Sequence, residues 1–214
     1  MRSAETADRL RSTLTIAGAI VGVCDWLTEN VCSQIELKRP PTIDEPDGEK
    51  YRHELVHPVA LPLFLPPLDR LPDGKDINIP SVCVGLVAGT DHANEKVRTL
   101  DISLSFTVWD PGEHPDDWID SGKKPPYKDS MNGWMALWNF IDLTAYKLFS
   151  TAYIGGMEVV RNEETRFGPY RQASMDSRYA KDPDDYYPFY FGFYRFGLRC
   201  PFLPYNEDIE KLLK

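Results

Sequence analysis

A chain of 214 residues that is 42% hydrophobic and 12% aromatic can build one good core with elaborations. Lys and Arg number 24 against 33 Asp and Glu, and the net charge of −9 disfavours a nucleic-acid-binding surface, which needs a basic stripe to meet phosphates. The 18 prolines against 14 glycines imply stiff, extended connections and long loops.

In chain order, Ala4 to about Asn30 reads as a helix, with Leu10, Leu14, Ala17, Val21 and Trp26 roughly at helical spacing. Gly18 and Gly22 weaken it by ~1 kcal/mol each relative to alanine, but allow another backbone to come close. Ser33 to Lys38 suits a short strand, after which Pro40, Pro41, Pro46, Asp47 and Gly48 break regular structure. From His57 to Pro80, prolines at 58, 62, 66, 67, 72 and 80 are interleaved with Val59, Leu61, Leu63, Phe64 and Leu65. They forbid both a helix and a central strand, so we expect an extended arm over a core or across a subunit boundary. Ser81 to Ala88 is a predicted strand and Gly89 to Lys96 a polar turn.

Val97 to Trp109 alternates strictly. Leu100, Ile102, Leu104, Phe106 and Val108 share one face and Thr99, Asp101, Ser103, Ser105 and Thr107 the other, as in a strand with one wet side. Asp110 to Asp129 is a long loop. A helix follows from Ser130 to about Thr151, capped by Asp129 or Ser130. Its stripe of Trp134, Leu137, Trp138, Ile141, Ala145 and Leu148 is joined by Met135, Phe140, Leu143 and Tyr146, so it is apolar almost all round. Such a helix is sandwiched within the fold or pressed on another chain. Gly155 and Gly156 turn the chain into a strand from Met157 to Arg161. A second long loop, Asn162 to Asp185, precedes a strongly aromatic strand, Tyr186 to Phe202, on which Arg195 and Arg199 mark a polar face. Asn206 caps a last helical turn or two. The expected fold is α+β in one domain over 1–214: a mainly antiparallel sheet of four to five strands, a long central helix and an N-terminal helix packed on it, long loops, and residues 1–50 as a helix-and-linker extension.

The four cysteines, at 24, 32, 83 and 200, include no CxxC pair. Cys24 and Cys32 sit ~12 Å apart along one predicted helix, too far to bridge, and all four suit buried thiols of a reducing compartment. The longest apolar run, Ile16 to Cys24, is about half a membrane span. Met1 to Arg11 lacks the shape of a signal peptide, so a soluble protein made in the cytoplasm is expected.

One catalytic pattern is present: His53, Glu54, Leu55, Val56 and His57 spell HExxH. Zinc binding through it needs a helix, so that the imidazoles at i and i+4 point one way and the glutamate polarises a bound water. Pro58 biases His57 away from helical geometry, and Ala60 and Leu63 stand where the known variants place a glycine and a third histidine. We read the motif as a chance match and expect no catalytic residues, no metal and no cofactor. His92 and His114 lie in separate polar turns. The acid pairs Asp116 with Asp117, Glu163 with Glu164 and Asp184 with Asp185 read as solvated turns.

The order of elements, a helix, a proline-interrupted segment, a strand entered through Pro80-Ser81-Val82-Cys83-Val84, the long strand Thr99 to Val108, the helix, a strand, and the aromatic strand YYPFYFGFYRFGLRCPF, resembles the tail-terminator or tail-completion proteins of long-tailed bacteriophages and related particles. The likeness spans most of the chain beyond about residue 50. It implies a structural virion protein, not an enzyme, assembled as a homohexameric ring at the head-proximal end of the tail. Its partners would be the tail tube protein, a sheath if the tail contracts, and a neck or head-completion protein, with DNA only passing through a lumen that the acidic excess would line. A neck connector is the alternative, and a zinc metallopeptidase using HELVH a more remote one. Candidate interface residues are Leu63, Phe64, Leu65 and Leu68 of the arm, Trp118 of the first long loop, and Arg166, Tyr170, Arg171 and Arg178 of the second.

Overall fold

The computed structural model of the chain describes residues 15–40, 54–65, 78–112, 133–160, 165–169 and 188–201. Two helices lie on one face of a mostly antiparallel sheet, an α+β arrangement. The first helix, α1 (Ile16–Asn30), is capped by Thr15, whose hydroxyl accepts from the Gly18 amide at 3.0 Å. Residues 4–14 of the expected helix lie outside the described residues. The buried stripe is Ala19, Val23, Cys24 and Leu27, not the Ala17–Val21–Trp26 line: Ala17 is exposed and Val21 and Trp26 are half-buried. The phase differs because the small face at Gly18 and Gly22 also turns toward the fold. A Cβ on Gly22 would stand 3.3 Å from Gly155 Cα, so the expected close backbone approach is there.

A 3-10 turn, Cys32–Gln34, leads to β1 (Leu37–Lys38), which pairs antiparallel with β2 (Leu55–Val56) as a two-stranded ribbon. The main sheet has seven strands, more than the four to five expected, and runs β3 (Val59–Pro62), β4 (Ser81–His92), β5 (Val97–Trp109), β9 (Phe189–Pro201), β7 (Met157–Val160), β6 (Tyr153–Ile154), with β8 (Phe167–Pro169) also on β9. The surplus comes from strands of two to four residues, too short to show a period in sequence. The second helix, α2 (Trp134–Ser150), packs on β5 and β9, while α1 touches β3 and β4 near one end of the strand order and β6 at the other. The sheet curls around α1.

The expected alternation on β5 holds: Leu100, Ile102, Leu104, Phe106 and Val108 are buried toward the helices. They meet Val82 and Val84 of β4 on one side and Phe196 and Leu198 of β9 on the other. From α2 come Leu137, Phe140, Ile141 and Leu148, with the Phe140 ring edge-on to Phe106 at 4.9 Å. Burial of each such side chain contributes about 2 kcal/mol or more. Trp134, placed on the core stripe from sequence, is half exposed, and Phe140, from the second set, is fully buried.

Two boundaries move. β4 runs on to His92, so the expected polar turn shrinks to the residues before Val97, and a bulge at Val87 absorbs the extra residue. The proline-rich arm begins as a parallel edge strand on β4. Val59 and Leu63 donate to Pro80 O and Val84 O at 3.1 and 2.8 Å, so the odd residues of β3 face the sheet and the even ones face away. Pro62 holds one of those outward positions and Pro58 stands just ahead of the strand, and neither has an N–H. At the opposite end of the sheet, β6 is only two residues long and turns through Gly155 and Gly156, at φ 55° and 80°, into β7. Predicted caps Asp129 and Ser130 lie outside the described residues, as do residues 202–214; α2 starts at Trp134, with Gly133 as its N-cap and no side-chain cap.

Gly133 is where α2 meets the end of β5. A Cβ there would overlap the Asp110 carbonyl oxygen and lie 2.7 Å from both Asp110 Cβ and Tyr190 Cε2. At Gly85 the nearest atom, Ser103 O, is 3.7 Å away, an ordinary contact. Gly133→Ala is therefore expected to lose about 2 kcal/mol or more in urea unfolding, and Gly85→Ala to stay within about 1 kcal/mol of the parent.

Candidate functional site

Beyond Pro62 the chain makes a three-residue γ-turn. Phe64 N–H donates back to Pro62 O at 2.9 Å, and Leu63 between them has φ 67°. A branched side chain rarely adopts that conformation, which costs roughly 1–3 kcal/mol and persists only where surroundings enforce it. The turn leaves Leu63 58% and Phe64 63% exposed. With Leu65 they form one wall of a groove on the sheet face that carries no helix; Cys83, Ser105, Thr107 and Phe191 line the rest. The sequence named Leu63, Phe64 and Leu65 from their apolarity among prolines. The turn that presents them leaves no mark in residue type, because glycine or asparagine would be expected there.

On the other layer, α2 buries one face and leaves apolar residues on the other. Trp134 and Met135 are about half exposed, and Tyr146 and Phe149 are 72% and 73% exposed. Trp138 is half-buried with its ring edge-on to Phe167, which stacks on Tyr194. Phe167 is itself exposed and follows Arg166, the one candidate of the second loop that is described; Arg166 O accepts the Arg195 amide at 2.8 Å. The described candidates thus divide in two, Leu63, Phe64 and Leu65 in the arm turn on one layer and Arg166 next in the chain to the α2–β8 aromatics of the other. Leu68, Trp118, Tyr170, Arg171 and Arg178 lie outside the described residues.

The HELVH stretch is extended where it is described, since Leu55–Val56 is the strand β2 paired with Leu37–Lys38. Glu54 accepts from Arg39 Nε at 2.6 Å. His57 Nδ1 lies 2.9 Å from Ile35 O, and because a carbonyl only accepts, Nδ1 carries the proton. His53 lies outside the described residues. Among the described residues, no three His, Cys, Asp or Glu side chains gather as a metal site would need, and no helix is long and apolar enough to cross a membrane.

Beside this ribbon, Lys38 Nζ donates to Asp110 Oδ1 at 2.7 Å and to Gly112 O at 3.2 Å, and Asp110 Oδ1 also accepts the Gly112 amide at 2.8 Å. Both side chains are largely shielded, so removing one partner would strand a charge. The pair ties β1 to the end of β5 at the foot of α2. At the far end of β5, Arg98 forks onto Asp91 at 2.5 and 2.9 Å and, through that hydrogen bond, holds the Asp91 carboxyl below its ordinary value.

The four cysteines are free and buried, as their spacing implied. Desolvation pushes the Cys24 and Cys32 thiols up to about 12 and Cys83 up to about 11, so they are poor nucleophiles. Comparison with protein-family models gave no match, and a search of curated proteins found no similar sequence.

Raised thiol values favour the protonated, folded form. Their contribution is fully present below the unfolded value of 9.0 and is lost as pH climbs toward 11 to 12. Stability measured by urea unfolding should fall above pH 9 by about 1.4 kcal/mol per pH unit for each such thiol. A Cys24→Ala, Cys32→Ala double variant should flatten that slope.

Proposed function

We propose that this chain is a structural subunit that closes into a ring, and, following the sequence resemblance, that the ring ends the tube of a phage-type tail and joins it to the neck. The observation that carries the proposal is the pair of separate exposed apolar surfaces. A ring of identical copies needs head-to-tail contacts, in which one patch meets a different patch of the next copy. Leu63 and Phe64, held outward at the cost of a strained turn, supply one. The outer side of α2, with Trp134, Met135 and Tyr146, supplies the other, on the opposite layer. In this reading α2 is the central helix of the subunit: its inner face carries the core and its outer face carries the neighbour, which accounts for a helix apolar almost all round. The role is structural and needs no catalytic group, metal or cofactor, and the subunit functions within the virion tail.

The test is the mass and shape of the purified full chain by light scattering and electron microscopy. Hexameric rings are expected, and Leu63→Ser with Phe64→Ser should reduce them to monomers while leaving the far-ultraviolet circular dichroism unchanged. A parent chain that stays monomeric at every concentration, alone and with tail tubes added, sinks the proposal.

A further inference from the structure

Along β9, Phe196 and Leu198 are buried under the helices, so Phe193, Arg195 and Arg199 belong to the helix-free face. β8 brings a second arginine beside the first. Phe167 is registered with Tyr194, and the Arg195 amide donates to Arg166 O at 2.8 Å, so Arg166 stands directly across from Arg195. Being one residue before Phe167, it turns to the opposite side of the strand from that ring. On the other flank of Arg195 the register places Ser103, and beyond it Gly85, which has no side chain to crowd the row.

Like charges directly opposite one another on a sheet repel, and among the described residues neither guanidinium has a carboxylate partner. Asp101, opposite Gly197, and Glu158, opposite Arg199, share the face but bond to neither. Arg195 is half-buried, with its guanidinium 5.6 Å from the centre of the Phe193 ring. Its Nε is shut off from water and has no hydrogen-bond acceptor. A buried donor left unmade is costly, and so is the uncompensated pair of charges; one incoming anion relieves both.

We propose that Arg166, Arg195 and Ser103 bind a phosphate-type dianion. Charge decides the class. A phosphate group carries about −1.5 to −2 near pH 7 and neutralises both arginines, whereas a carboxylate, with a single charge, satisfies one guanidinium fork and leaves the other. A rotation of the last side-chain bonds aims Arg195 Nε–H and one Nη–H together at two oxygens. Arg166 supplies the second fork, and Ser103 Oγ donates to a further oxygen. Arg166 and Ser103 are two strand spacings apart, about 10 Å, a gap that the long arginine side chains close. The Phe193 ring supports the Arg195 guanidinium from the side. The proposal stands apart from the ring: it uses neither the arm turn nor the outer side of α2 and holds for a monomer.

The test is a phosphorus NMR titration of the purified full chain with inorganic phosphate, at ionic strength held constant with chloride. Saturable binding at one site per chain is expected. Arg166→Gln, at an exposed position, should weaken it about tenfold or more, the loss of one charge-assisted fork. Arg195→Lys, which keeps the charge and loses the fork, should weaken it several-fold. Phosphoserine in the same titration separates the two sources, the tighter of the two naming a free ion or a group carried on a chain. Binding of neither overturns the site, as does binding unchanged in Arg166→Gln. Acetate or dimethyl phosphate, each with one charge, displacing phosphate at equal concentration overturns the assignment to a dianion.

Discussion

Val97–Trp109 and Phe189–Pro201 pair residue for residue over thirteen positions, and every other element takes its place from that ladder. Its inner side lines up Phe196, Leu198 and Cys200 with Ile102, Leu100 and Arg98, and the two helices have one apolar surface to cover. β4 extends the ladder on one side and β7 and β8 on the other. Because the side-chain period is two, a slip of one residue would turn Phe106 and Leu104 to water and bring Ser103 and Ser105 under α2. The register is therefore enforced by the whole core at once, and the Arg98–Asp91 fork and the Lys38–Asp110 pair close its two ends.

What the sequence disclosed follows from how far each residue pattern outlasts its neighbours. β5 was legible because five apolar and five polar residues alternate without a break, which only a one-sided strand explains. β9 was legible from its aromatics, and both helices from their length. The face that α2 buries was not, since a helix apolar nearly all round has no single preferred phase; Phe140 and Trp134 exchange the roles their spacing suggested because β5 and β9, distant in sequence, fix the phase. β3 was hidden by its own prolines, which disguise an edge strand as a linker.

The candidate surface divided in the same way. Composition pointed to Leu63, Phe64 and Leu65, but their presentation rests on a backbone conformation that no residue type there announces. The aromatic run from Trp138 through Phe167 to Tyr194 joins three segments far apart in the chain, and only the strand pairing of β8 with β9 assembles it. The HExxH letters show the converse: they suggest a helix, but the ribbon partner Leu37–Lys38 imposes an extended backbone on Leu55–Val56.

Pro58 and Pro62, at the two ends of the edge strand β3, bear on what that edge can bind. An edge strand ordinarily offers a row of amide donors to which another strand can zip, and such zipping has no natural end: each added strand presents a fresh edge. Here Pro58 and Pro62 delete the donors on either side of Ala60, and the far margin, β6, is too short to hold a guest. Among the described residues, then, neither margin of the sheet is a ready template for an added strand, and the edge that holds the strained turn is guarded by ring nitrogens.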